Sequence, residues 1–211
     1  MAEWDEILKR EEFTPEGPHK VVVKLASFLK ARNVKKVLDL GCGAGRHLVF
    51  LARKGFEVYG TDISEIGLDQ ARRRLREEGL EAELKRSDMT VIPYPDVFFD
   101  AVIGIWVIYH NTLEAMRKTI SEIHRVLNEG GLAFLTFQSK GSYKFGKGKK
   151  IDKDTFVLEE GPEKGVIHHF SEKKEVEELL KEFRILDLGL DEFIGEGGEL
   201  NSHWEVLAEK T

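Results

Sequence analysis

The chain is expected to fold as an α/β domain with a doubly wound, mostly parallel sheet of seven strands, helices on both faces and an antiparallel last strand. Three observations predict this. Apolar runs of about six residues alternate with amphipathic stretches of roughly ten to sixteen, as parallel strands joined by right-handed crossover helices do. A cluster of glycines closes the first apolar run. The last two apolar runs have no helical stretch between them, so they pair as neighbours running in opposite directions.

Each element follows from its own pattern. After an acidic start, Val22, Leu25, Ala26 and Leu29 in "HKVVVKLASFLKARN" have the i, i+3, i+4, i+7 spacing of a helix face. "KVLDLG" is a short apolar run, the mark of a strand covered on both faces. "RHLVFLARKG" is a helix stopped by Gly55, and "FEVYGTD" a second strand. Ser64 caps "EIGLDQARRRLREEG", which Gly79 ends. "AELKRSD" and "FDAVIGIWV" supply strands three and four. "TLEAMRKTISEIHRVLNEGG" reads as a helix ending in a double glycine, and "LAFLTFQ" as strand five. Residues 139–170 lose all periodicity, and loops of that length in compact domains are usually functional. They are assigned to a loop insertion over the substrate site. Helix "SEKKEVEELLKE", capped by Ser171, and strands "FRILDLGL" and "HWEVLAEK" complete the chain.

With 211 residues a single domain spanning 1–211 is expected, with residues 1–18 as an N-terminal lid segment. A hydrophobic fraction of 41% and a charged fraction of 33% exclude disordered and fibrous classes. The net charge of -6 argues against nucleic acid as a partner, "KFGKGKK" being the one basic strip. No run is long enough to cross a bilayer, and "MAEWDEILKREE" is acidic where a secretory signal is basic, so a cytoplasmic location and no membrane are expected. A lone cysteine, Cys42, excludes an internal disulfide and a cysteine-zinc cluster. Two glutamines and four asparagines beside many charged residues give a composition like that of thermophiles.

The chemistry gathers at strand tips. "GCGAG" lets the backbone turn tightly against a ligand, while the following helix offers free N–H groups. Arg46 stands where the dinucleotide fingerprint needs its third glycine, which weakens a nicotinamide cofactor, and no P-loop lysine follows. Asp62 ends strand two, where a carboxylate accepts from both hydroxyls of a ribose. Asp88 ends strand three on the same rim, an acceptor for an exocyclic amine.

"VLDLGCGAG", "VYGTDIS", "RSDM", "FDAVIGIWVIYH" and "EIHRVLNEGGLAFLTF" resemble the successive motifs of class I S-adenosylmethionine-dependent methyltransferases, and within them the small-molecule enzymes of the tellurite-resistance and type 11 kind. The resemblance runs from about Val21 to Lys210 and implies a Rossmann-like methyltransferase fold, with S-adenosyl-L-methionine as cofactor and S-adenosyl-L-homocysteine as product. It places Asp39, Gly41, Gly43 and Gly45, with Cys42 inside the loop, around the methionine part, near the backbone of Ile105. Asp62 would hold the ribose, Ile63 would pack on the adenine, Asp88 would bind its amine and the Met89 backbone its ring nitrogens.

Cys42 lies in the cofactor loop and is read as packing rather than as a nucleophile. His110 follows strand four at the rim facing the methyl group, with Tyr109 before it. His168 and His169 are adjacent in an extended stretch and point to opposite faces, so they share no metal. Trp4, Tyr109, His110, Tyr143, His168 and His169 are the substrate candidates, with His110 and His169 as candidate general bases and no metal site expected. The absence of an Asn/Asp-Pro-Pro-Tyr motif after strand four and of a Pro-Cys pair points to a small-molecule acceptor. RNA or protein methylation, or binding of S-adenosylmethionine without turnover, are the alternatives, and the chain is expected to be a monomer or homodimer.

Overall fold

A computed structural model describes residues 2–15, 17–195 and 197–211. Helix α1 (Ala2–Ile7) and a 3-10 turn (Glu11–Phe13) precede α2 (Lys20–Ala31), whose buried face is Val22, Leu25, Ala26 and Leu29. Then follow β1 (Lys36–Leu40), α3 (Arg46–Arg53), β2 (Glu57–Asp62), α4 (Glu65–Glu77), β3 (Glu83–Arg86), β4 (Phe99–Gly104), α5 (Leu113–Val126) and β5 (Leu127–Gln138). The chain continues through β6 (Lys149–Asp152), β7 (Thr155–Val157), β8 (Ile167–His169), α6 (Lys173–Leu179), β9 (Phe183–Ile194) and β10 (Leu200–Lys210).

Seven strands form one sheet in the order β3-β2-β1-β4-β5-β10-β9. β1 pairs in parallel with β2 and β4, and β10 is antiparallel to both β5 and β9, as the sequence predicts. Alternate residues of the central strands feed two cores. Leu38, Leu40 and Val102 face α5 and α6 through Met116, Ile120, Val176 and Leu180. Val37, Ala101 and Ile103 face α2, α3 and α4 through Leu25, Leu29, Leu48, Leu51 and Leu68. No helix among the described residues is long and apolar enough to cross a membrane.

Three local expectations are corrected. The alternation fails once: residues 87–98 join β3 to β4 without a helix. Arg125 holds that segment by donating to the carbonyls of Ile92 and Tyr94 while pairing with Asp96 and Glu122. α5 stops at Val126, before the double glycine, and the turn falls inside β5, where the register against β4 slips between Phe99 and Ala101. Ser171 does not cap α6, whose N-cap position is Glu172.

Residues 139–170 are not a plain loop. They contain the antiparallel sheet β6-β7-β8 over an aromatic cluster of Phe145, Phe156 and Phe170. Gly148 makes the entry to β6 possible: its φ is +84°, and a Cβ there would lie 2.2 Å from the Val157 carbonyl oxygen.

Candidate functional site

The strand order reverses between β1 and β4, and open α/β sheets bind ligands at such a point. The turn after β1 is built to approach a ligand closely. Gly41 has φ +69°, and a Cβ on it would sit 2.2 Å from Val107 Cγ2. Its N–H and that of Cys42 donate to the Thr61 carbonyl at 2.8 and 3.0 Å, tying the turn to the end of β2. Asp62 completes the joint: Oδ2 accepts from the Gly43 N–H at 2.7 Å and Oδ1 from the Ser64 N–H at 2.8 Å. Each oxygen keeps a second lone pair for a ligand hydroxyl. Burial raises the Asp62 carboxyl to about 6.

A cavity of about 580 Å³ opens here. Gly41, Cys42, Gly43, Asp62, Ile63, Asp88, Met89 and Ile105 line one end. At β3, Asp88 Oδ1 accepts from Thr90 N–H and Oγ1 at 2.8 and 2.7 Å, which fixes the carboxylate at the wall. Asp39 stands behind the turn, its Oδ2 buried without a hydrogen-bond partner among the described residues. Burial, followed by the nearby Asp62 and Asp39 carboxylates, drives the Cys42 thiol well above its ordinary value, which agrees with packing rather than nucleophilic chemistry.

The other end is aromatic and basic. Trp4, Trp106, Tyr109, His110, Lys144, Glu163 and His203 line it. Trp106 takes φ +55°, with its N–H on Thr136 Oγ1 at 2.6 Å. Its ring stacks near Phe193, beneath the Arg46 guanidinium at 5.3 Å. Tyr109 Oη lies 3.3 Å from His203 Nε2. Burial lowers His110 and His203 to about 4, so both imidazoles are neutral near pH 7. A weakly basic His110 removes protons poorly unless the acceptor is itself acidic.

Two further segments line the cavity. From the N-terminal side, Asp5 Oδ1 accepts from Ser64 Oγ at 2.6 Å, Gln70 Nε2 donates to the Leu8 carbonyl at 2.9 Å and Trp4 meets His110 edge-on at 4.9 Å. From the insertion, the His169 N–H donates to the Tyr109 carbonyl at 2.8 Å. Arg10 joins the two by donating to the Pro162 carbonyl at 3.0 Å.

The structure thus gathers Gly41, Cys42, Gly43, Asp62, Ile63, Asp88, Met89, Ile105, Trp4, Tyr109 and His110 around one cavity. Three substrate candidates lie elsewhere. Tyr143 pairs its N–H with the Leu200 carbonyl, and its ring sits beside Lys144 and Lys147, outside the wall. His169 is clamped between Thr155 Oγ1 and Glu175 Oε2, both at 2.8 Å, which removes it as a general base for this cavity. His168 is fully buried behind the wall, on Gln138. The sequence reading missed Trp106, Lys144, Glu163 and His203. The aromatic residue in "GIWVIYH" marked Trp106; the others arrive by pairing across the insertion and β10, which no local pattern encodes.

Fold, strand order and rim carboxylates define an open α/β domain with a ligand cavity at its switch point. Residues 37–131 match the family model described as a methyltransferase domain. Methyltransferase GfsG of Streptomyces halstedii is 39% identical over 99 residues, covering 46% of this chain and 35% of that protein. Demethylmenaquinone methyltransferase of Thermus thermophilus is 36% identical over 115 residues, covering 53% of this chain and 51% of that protein. A solved SAM-dependent methyltransferase from Methanosarcina mazei superposes with a TM-score of 0.71 at 24% identity, over 84% of this chain and 92% of that chain. Over residues 37–131 the chain is thus similar to methyltransferase domains, and its fold matches that of a solved SAM-dependent methyltransferase. It spans about a third to a half of the length of these two curated relatives.

Proposed function

We propose that the chain binds S-adenosylmethionine and transfers its methyl group to a small-molecule acceptor. One observation carries this reading: the tips of β1, β2 and β3 meet in a cavity that is also lined by Trp4, Trp106, Tyr109, His110 and His203. The residues present fit the cofactor. Asp62 retains two lone pairs for a ribose diol, Asp88 offers an acceptor for an adenine amine, and Ile63 and Met89 supply apolar flanks. Arg46, at the head of α3, is a cation for a carboxylate.

Bound there, the cofactor supplies an activated methyl group on a sulfonium. The chain's own part is alignment and exclusion of water. Holding donor and acceptor in line is worth roughly 7–11 kcal/mol when the geometry is right. Trp4, Tyr109 and Trp106 provide apolar walls for that alignment. A small acceptor is favoured because the N-terminal segment and the insertion both contribute to the cavity wall. In the basic strip, Lys144 turns inward onto Glu163, while Lys147, Lys149 and Lys150 stay exposed.

Calorimetry with S-adenosylmethionine, with S-adenosylhomocysteine and with a nicotinamide dinucleotide tests the first half. Incubation with methyl-labelled cofactor and a metabolite extract tests the second. Saturable binding of both adenosyl ligands and label in a low-mass product are expected. Dinucleotide binding in their place, or label only in RNA or protein, would reject the reading.

A further inference from the structure

Just behind the cavity wall formed by His110 and Glu163, one buried imidazole nitrogen is left without a partner among the described residues. His168 Nδ1 lies 2.8 Å from Gln138 Oε1, and the Gln138 amide is oriented in turn by its Nε2 donating to Ser142 Oγ at 3.2 Å. A carboxamide oxygen only accepts, so Nδ1 carries the proton and Nε2 presents a lone pair. That Nε2 is buried, has no hydrogen-bond partner among the described residues, and faces Glu163 Oε2 at 3.5 Å. Lys144 already pairs with that Glu163 oxygen, but the His168 lone pair is left unsatisfied, and a buried acceptor without a partner is costly. A proton on His168 is opposed first by burial, then by His110, Lys144 and His203.

His110 completes the group. Its ring stands edge-on to His168 with centroids 4.6 Å apart, and its Nδ1 is also buried without a partner among the described residues. One ligand atom from each of His110, Glu163 and His168 lies within 4.8 Å of the others. Metal bonds of about 2.0–2.1 Å in a tetrahedral site set neighbouring ligand atoms roughly 3.4 Å apart. The His168–Glu163 separation of 3.5 Å already has that value.

We propose that His110, Glu163 and His168 bind one divalent transition-metal ion, of the zinc, cobalt or nickel kind, leaving coordination positions open toward the cavity. Two imidazoles and a carboxylate with open positions suit such borderline ions better than magnesium or calcium. Gln138 is a positioning residue, fixing the tautomer that frees Nε2. Lys144, whose ammonium holds Glu163, competes with the ion for the same carboxylate.

The ion's role, though not its binding, rests on the methyl-transfer reading. An acceptor hydroxyl or thiol on the open positions would lose its proton to water, because the ion lowers its pKa. The acceptor–methyl bond then forms as the sulfonium–methyl bond breaks, and the thioether leaves uncharged.

The test uses the whole chain, stripped with a chelator and titrated with cobalt chloride by visible absorption and with zinc chloride by calorimetry. Binding of S-adenosylmethionine is measured separately, so failure of the metal site and failure of the cofactor reading remain distinct. One ion per chain with the absorption of low-coordinate cobalt is expected. Glu163→Gln and His168→Ala should weaken affinity at least about tenfold, and Gln138→Ala by about 10- to 100-fold. Lys144→Met should tighten it, an outcome that a merely structural role for the lysine does not produce. Circular dichroism melts confirm that each variant is folded, and Glu163→Gln, at the cavity wall, is the variant least exposed to misfolding. Wild-type chain that takes up no stoichiometric ion, Glu163→Gln that binds as well as wild type, or Lys144→Met with unchanged affinity would overturn the site.

Discussion

At the tip of β2, both Asp62 oxygens already accept a backbone N–H, and each keeps a lone pair at the cavity wall. Asp62→Ala should weaken S-adenosylmethionine binding by about 1–3 kcal/mol, the cost of stranding buried donors, as read by calorimetry. The same carboxyl makes binding depend on pH. Burial raises it to about 6 from 3.8, so in the free chain it contributes most to stability below 3.8, and that contribution is lost as pH rises through about 6. Ligand hydroxyls favour the ionised form and lower its pKa, so binding releases a proton near pH 6. Affinity should therefore rise as pH climbs through 6 and level off above about 7, and calorimetry in two buffers of different ionisation enthalpy should reveal the released proton. At this scale the sequence was legible wherever a residue sits at a fixed offset from a strand, as Gly41, Asp62 and Asp88 do. Glu163, Lys144 and His203 were not legible, because they reach the cavity from segments whose packing is non-local. His169 was misplaced because its adjacency to His168 says which faces differ but not which one meets the ligand.

Helices announced themselves by caps and spacing, and Ser64 accepts from the Gly67 N–H as its position before α4 predicts. The small sheet in the insertion did not, since strands of three or four residues are too short to show a period. Its first strand depends on Gly148. Gly148→Ala should cost about 1–3 kcal/mol through strain at positive φ, more if the clash with the Val157 carbonyl parts β6 from β7. Hydrogen exchange should then accelerate across residues 149–157 while the main sheet keeps its protection. The helix-to-strand boundary at Val126 was misread for a related reason: glycines usually end helices, but here they shape a bulge inside β5.

Across the molecule, one seven-stranded sheet serves both stability and site, because the strand tips form the binding rim and the strand bodies separate two cores. The succession of its strands was readable from periodicity, whereas their lateral order was not, because which strands pair is set by non-local packing. The segment between β3 and β4 is held by aromatic packing: Phe99, fully buried, meets Tyr59, Tyr94 and Phe98 edge-on at 5.1, 5.0 and 4.9 Å. Phe99→Ala should lower unfolding free energy by about 3–5 kcal/mol in urea titrations. The guanidinium of Arg10 on the carbonyl of Pro162 adds a kinetic consequence, since it clasps two ends of the chain's architecture over a shared chamber. On the proposed methyl-transfer reading, opening that clasp precedes departure of spent cofactor, so Arg10→Ala should shorten the residence time of S-adenosylhomocysteine in stopped-flow displacement.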